Sequence, residues 1–164
     1  MDRSKSIELL NRAVAEELQA VHQYMYFHFH LDDQGFGPLA DLFRRTAIEE
    51  MLHVERIAER ILFLKGEVEM APSGPVEKIT DAKDIVASAT KAEEEAVVMY
   101  NDFGQQCAAA ADSASKQLFE SLVNDEERHF DQFDTQLENI ARFGPNYLAL
   151  QSFGGGAEEA GPPA

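Results

Sequence analysis

The chain is poor in cysteine, in basic residues and in long apolar runs, and each shortage removes a class of protein. Cys107 is the only cysteine, which excludes a disulfide framework, a CxxC redox pair and a cysteine-rich metal knuckle, and makes a reducing compartment the simplest setting. Lysine and arginine number 14 against 30 acidic residues, a formal net charge of −16 over 164 residues. Such a surface repels phosphate backbones, so no nucleic-acid partner is expected. The opening stretch MDRSKSIELLNRAVAEEL scatters acids and polar residues through its first turns. It has no apolar run of signal-peptide or membrane-span type, and the expectation is a cytoplasmic protein without membrane contact. Strand signals are sparse too. What is present is alanine, leucine, glutamate and glutamine, in four long segments with helical periodicity.

Glycine and proline divide these segments. Gly35-Phe36-Gly37-Pro38 ends one helix and opens the next, a short hairpin connection. The break from Gly66 to Met70-Ala71-Pro72-Ser73-Gly74-Pro75 is too long for a tight turn and predicts a crossover along a bundle. Near Ala111-Asp112-Ser113, either Asp112 or Ser113 is placed to cap a fourth helix. Phe143-Gly144-Pro145 stops that helix and permits a short fifth one through Leu150, while GGGAEEAGPPA from Gly154 reads as a disordered tail. The predicted class is all-α: one domain over 1–153, a four-helix bundle of two hairpins joined by a long crossover, with a short fifth C-terminal helix and a tail over 154–164.

Each apolar seam is interrupted by acid. On the first segment Ile7, Leu10, Val14, Glu17, Val21, Tyr24, His28 and Leu31 advance by three or four and share a face. The second runs Leu39, Phe43, Thr46, Glu50, His53, Ile57, Leu64. The third offers Val86, Ala89, Glu93, Val97, Tyr100, Cys107, and the fourth Phe119, Leu122, Glu126, His129, Phe133, Leu137, Ile140. Four converging carboxylates do not stay ionised in a core without positive charge among them. His22, His28 and His30 share no face at ligand spacing and are expected to be structural or surface residues.

The spacings carry the strongest signal. Glu17 to Glu93, Glu50 to Glu126, His53 to His129 and Tyr24 to Tyr100 are each 76 positions apart. The halves look like copies. A single Glu-x-x-His is often only a solvated pair one turn apart. Two of them, each on an apolar seam and each 33 residues after an inward glutamate, supply six ligands for two metals in the pattern of the di-iron and di-manganese carboxylate bundles. Four carboxylates and two imidazoles suit iron or manganese better than copper, and no thiolate favours zinc. In such bundles Glu17 with His53 would hold one ion, Glu93 with His129 the other, and Glu50 and Glu126 would bridge them. Dioxygen or peroxide would meet Fe(II) there. Tyr24 and Tyr100 lie two turns from Glu17 and Glu93, either as redox-active neighbours or as packing.

From about Ile7 to Leu150, the motifs AEELQAVHQY, IEEMLHVERIAERILFLKG, NDEERHFDQF and GPNYLA resemble the bacterioferritins, the haem-containing branch of the ferritins. The resemblance implies a ferroxidase subunit of a 24-chain hollow homo-oligomer that oxidises Fe(II) at a di-iron centre and stores the ferric mineral. It also implies a closing fifth helix near Tyr147 and a ferredoxin-type electron donor for iron release. Met51 matches the family's axial ligand to a b-type haem shared across a twofold interface. About 100° around the helix from Glu50, it points away from the metal layer. Three positions depart from family patterns: Arg45 stands where some members carry an iron-passing histidine, and Ile57 and Gln132 where some carry an aromatic pair. The competing reading is a rubrerythrin-like di-iron peroxide-reducing enzyme in a small oligomer.

Overall fold

The structure is a computed structural model describing residues 1–153, so the expected tail over 154–164 lies outside the described residues. Five helices follow one another: α1 (Arg3–Asp33), α2 (Gly37–Phe63), α3 (Ala82–Ala109), α4 (Ser113–Phe143) and α5 (Pro145–Leu150). Among the described residues there is no strand, and no helix is long and apolar enough to cross a membrane.

Aspartate starts three of the long helices. Asp2, Asp81 and Asp112 accept from the backbone N–H of Lys5, Asp84 and Ser115 at 3.2, 3.0 and 3.1 Å, each satisfying a donor that the first helical turn leaves free. The fourth-helix cap is therefore Asp112 rather than Ser113. The helix ends share a second device. After α1, α2 and α3 the chain turns through one residue of positive φ, Gly35 at 83°, Lys65 at 67° and Ala111 at 57°. The following amide then reaches back to Leu31, Ile61 or Cys107, the Schellman pattern. Only the first uses glycine. Gly66 instead makes room: a Cβ there would lie 2.8 Å from Cγ2 of Ile7.

The crossover from Leu64 to Asp81 is held against α1 by side-chain amides that each bond the passing backbone. Asn11 gives to Glu67 O and accepts from Glu69 N; Gln19 does the same with Pro75 O and Gly74 N, and Gln23 with Glu77 O and N. Gln34 completes the series on Thr80 O. From Asn11 to Gln34 the helix rises about 35 Å, a distance only an extended chain covers between Glu67 and Thr80. That extended run explains the long break between hairpins.

Within each hairpin α1 packs on α2 and α3 on α4; the hairpins then meet α1 to α3 and α2 to α4. The core is split into two apolar clusters. One gathers Tyr24, Phe27, Leu31, Phe43, Ile85, Val86 and Phe133. The other holds Tyr100, Phe103, Cys107, Phe119, Leu9, Leu10 and Ile57. Every residue of the first list matches one of the second at the same 76-residue offset. The pseudo-twofold relation therefore exchanges the two clusters and runs through the layer between them. The buried faces are also broader than single seams: Leu9, Ala13, Phe27 and Phe103 are buried although off the predicted stripes, whereas Val21, His28 and Val97 are only half-buried. A helix packed on two neighbours buries more than one line of side chains.

Candidate metal centre

Between the apolar clusters lie Glu17 from α1, Glu50 and His53 from α2, Glu93 from α3, and Glu126 and His129 from α4, all buried. Helical spacing brings each Glu-x-x-His pair to one face, and the pairing of hairpins brings the faces together. Nδ1 of His53 lies 2.8 Å from Glu50 Oε2, 3.1 Å from Glu126 Oε1 and 3.3 Å from Glu17 Oε1. Nδ1 of His129 lies 3.1 Å from Glu50 Oε1, 3.2 Å from Glu126 Oε2 and 3.8 Å from Glu93 Oε2. Glu50 and Glu126 thus divide their oxygens between two centres. The imidazoles stack with centroids 5.9 Å apart.

Two groups follow, Glu17, Glu50, His53, Glu126 and Glu50, Glu93, Glu126, His129, each with ligand atoms within 4.8 Å of one another. Glu50 Oε2, Glu126 Oε1 and His53 Nδ1 are buried without a directed hydrogen bond, although their separations are short. Carboxylate oxygens and an imidazole nitrogen that lie close together without hydrogen-bond partners are what a bound cation satisfies, so the donor set fits two metal ions.

The electrostatics match. Burial, reinforced by Glu50, raises the Glu17 and Glu93 carboxyls well above the ordinary range. Burial likewise opposes ionisation of Glu126, but the two imidazoles outweigh it and hold that carboxyl well below its usual value. Burial alone would lower the His53 imidazole; contacts with Glu126, Glu17 and Glu50 push it up to about 12. His129 is raised by the same balance, with Glu126, Glu50 and Glu93 as partners. Without metal the site therefore keeps protons on both imidazoles and on Glu17 and Glu93, which balance its remaining negative charge.

Two tyrosines close it. Tyr24 donates to Glu93 and Tyr100 to Glu17, so each serves the carboxylate of the other hairpin; burial and those carboxylates raise both phenols. A cavity of about 480 Å³ opens between α1 and α3 beside the crossover, with exposed Glu16, Glu77 and Glu95 at its rim and Glu17, Glu93 and Tyr24 on its buried side. Met51 lies on the outer face of α2, 52% exposed, between exposed Ile48 and Leu52. The remaining histidines stay out of the centre: His28 Nδ1 lies 2.8 Å from Ala40 O, His30 lies tilted against the Tyr26 ring, and His22 is exposed. Arg45 and Gln132 are exposed, and Ile57 is core.

Sequence reading overlooked Glu49, Asp125, Arg128 and Arg56, which surround the outer edges of the two imidazoles. A signal was available. Glu49 and Asp125 are also 76 apart, and each directly precedes an inward glutamate.

A four-helix bundle with a crossover and six inward carboxylate and histidine side chains is a ferritin-like carboxylate protein, and residues 7–143 match the ferritin-like domain. The chain belongs to the bacterioferritin family. It is 37% identical to the bacterioferritin of Rhodobacter capsulatus over 90% of this chain and 91% of that one. Against the bacterioferritin of Desulfovibrio desulfuricans it is 36% identical over 90% and 82%. The crystal structure of the Desulfovibrio protein, which has a di-iron site studied in different catalytic states, superposes with a TM-score of 0.92 at 34% identity, covering 99% of this chain and 94% of that one.

Proposed function

We propose that this chain is a ferroxidase subunit of an iron-storing shell, with Fe(II) as the substrate of the buried site. The observation that carries this reading is the division of Glu50 and Glu126 oxygens between His53 and His129, the arrangement needed for two bridged ions. Glu17 and His53 hold one ion, Glu93 and His129 the other, and Glu50 and Glu126 bridge. Two Fe(II) together would give two electrons, which with two protons from solvent reduce dioxygen to hydrogen peroxide, or hydrogen peroxide to two waters, leaving two Fe(III). Four carboxylates balance the charge of two divalent ions, and the further positive charge gained on oxidation is stabilised by the same carboxylates. Tyr24 orients Glu93 through its hydroxyl and is the proposed redox-active neighbour. The acidic cavity between α1 and α3 is the entry path for the cation.

The shell is a homo-oligomer of 24 chains in a cytoplasmic setting, and a ferredoxin-type donor returns electrons to release stored iron. The domain is taken as 1–153. The residue that would hold a b-type haem is Met51, exposed on α2 between exposed Ile48 and Leu52; its thioether would supply a ligand to the haem iron. A haem-loaded preparation of Met51→Leu should lose the absorption spectrum of a methionine-ligated haem.

The deciding experiment is Fe(II) titration of metal-free protein in air, with ferric absorbance and particle size followed together. A fast phase ending near two irons per chain, then slow uptake of many more in an unchanged large particle, is the expected outcome. Fast oxidation that stops there in a small oligomer would instead favour the rubrerythrin-like peroxide-reducing reading.

A further inference from the structure

Both imidazoles face the centre through Nδ1, which leaves Nε2 pointing outward, and each Nε2 meets a carboxylate that the reaction does not use. Glu49 Oε2 lies 2.8 Å from His129 Nε2, and Asp125 Oδ2 lies 3.2 Å from His53 Nε2. The two contacts are crossed. Glu49 precedes the bridging Glu50 on α2 yet serves the histidine of α4; Asp125 precedes the bridging Glu126 on α4 yet serves the histidine of α2. Arg128 ties the pair together, at 2.6 Å from Glu49 and 3.5 Å from Asp125. Arg56 adds a second hold on Asp125 at 3.1 Å and also donates to Ser121. The result is a continuous polar chain, His129, Glu49, Arg128, Asp125, His53, along one side of the site.

We propose that Glu49 and Asp125 are positioning residues, each accepting the Nε2 hydrogen of one imidazole so that Nδ1 is kept free and aimed at one metal ion, with Arg128 holding both acceptors in place. This rests on the two-metal reading above. An outer hydrogen bond to a carboxylate sets both the ring orientation and the tautomer of a ligating histidine, and its loss typically costs about 10- to 100-fold in metal affinity. The wiring is also selective. Glu49 acts on the ion held with His129 and Glu93, Asp125 on the ion held with His53 and Glu17, and Arg128 on both.

The test is anaerobic Co(II) titration of the full-length, metal-free protein by calorimetry and visible absorption, using wild type, Glu49→Ala, Asp125→Ala, Arg128→Ala, and the conservative Glu49→Gln and Asp125→Asn. Wild type should take two Co(II) per chain. Each acid-to-alanine change should weaken one of the two by about 10- to 100-fold and spare the other. Arg128→Ala should weaken both more mildly, and the amide variants, which still accept a hydrogen bond, should recover part of the loss. Melting of the metal-free variants separates this from a folding defect, and the amide variants keep the test open if an alanine variant does not fold. Two ions bound as tightly as in wild type by both alanine and amide variants would overturn the positioning role, as would an equal loss of both ions from each single change. A wild-type protein that takes no Co(II) would fail at an earlier point, removing the two-metal reading itself.

Discussion

Tyr100 donates its hydroxyl hydrogen to Glu17 across the bundle at 2.5 Å, and Tyr24 makes the pseudo-symmetric bond to Glu93. Each hairpin thus supplies the tyrosine that holds the other hairpin's lone glutamate. The bonds tie the hairpins together at the layer where the apolar core is interrupted.

Removing one hydroxyl leaves a buried carboxyl short of a partner. Tyr100→Phe and Tyr24→Phe should each destabilise the metal-free protein by about 1–3 kcal/mol, read from urea unfolding. If only structure is at stake, the two variants should oxidise Fe(II) alike; a slower rate confined to Tyr24→Phe would mark it as the redox-active neighbour.

Burial raises the Glu17 and Glu93 carboxyls, so both oppose ionisation in the folded protein until cations arrive. Glu50→Ala should abolish the paired binding of Mn(II), since Glu50 lies against both imidazoles. Wild type should melt at a higher temperature with Mn(II) than without, because the ion binds only the folded state. The variant should show little of that rise. Thermal melts with and without metal check both statements.

Asp112 caps α4 and accepts from Arg60 at 2.6 Å and from the Ser115 hydroxyl at 2.7 Å. Burial works to raise its carboxyl, but the Ser115 hydrogen bonds and the Arg60 charge hold it below the ordinary value. A lowered folded-state pKa contributes stability that is present above the unfolded value of about 3.9 and is lost as pH falls through the folded one. Asp112→Ala should therefore cost about 2–4 kcal/mol at neutral pH, from the lost cap and the unpaired Arg60. The gap to wild type should shrink below about pH 4. Urea unfolding across that range measures it.

Ala111 turns at a positive φ without being glycine. Ala111→Gly should stabilise by up to about 1 kcal/mol, the steric relief slightly exceeding the added chain entropy. Gly66→Ala should do the reverse, since its Cβ would press on Ile7. Paired denaturation curves separate the two uses of a small residue.

Much of this protein was legible before its tertiary structure. Helical periodicity is a local property, so the seams through Glu17, Glu50, Glu93 and Glu126 could be read directly. The 76-residue repeat then exposed the paired ligands without reference to another chain. Asp112 and Ser113 suit the cap of α4 equally by residue type; only the backbone geometry, with Asp112 accepting from Ser115 N–H, distinguishes them. Phe27 and Phe103 are buried beyond the single stripes, since a face one residue wide does not register that a second helix also covers it.

Spacing along a helix and between repeats is enough to specify the class of fold, the six inward side chains and the internal symmetry relating them. How Glu50 and Glu126 divide their oxygens, which acid meets which outer imidazole nitrogen, that the tyrosines serve the opposite hairpin, and that Asn11, Gln19 and Gln23 seat the crossover all emerge when the hairpins pack. Those relations depend on the rotation and axial register of one hairpin against the other. Side-chain packing across the whole bundle sets both, and no local spacing encodes them.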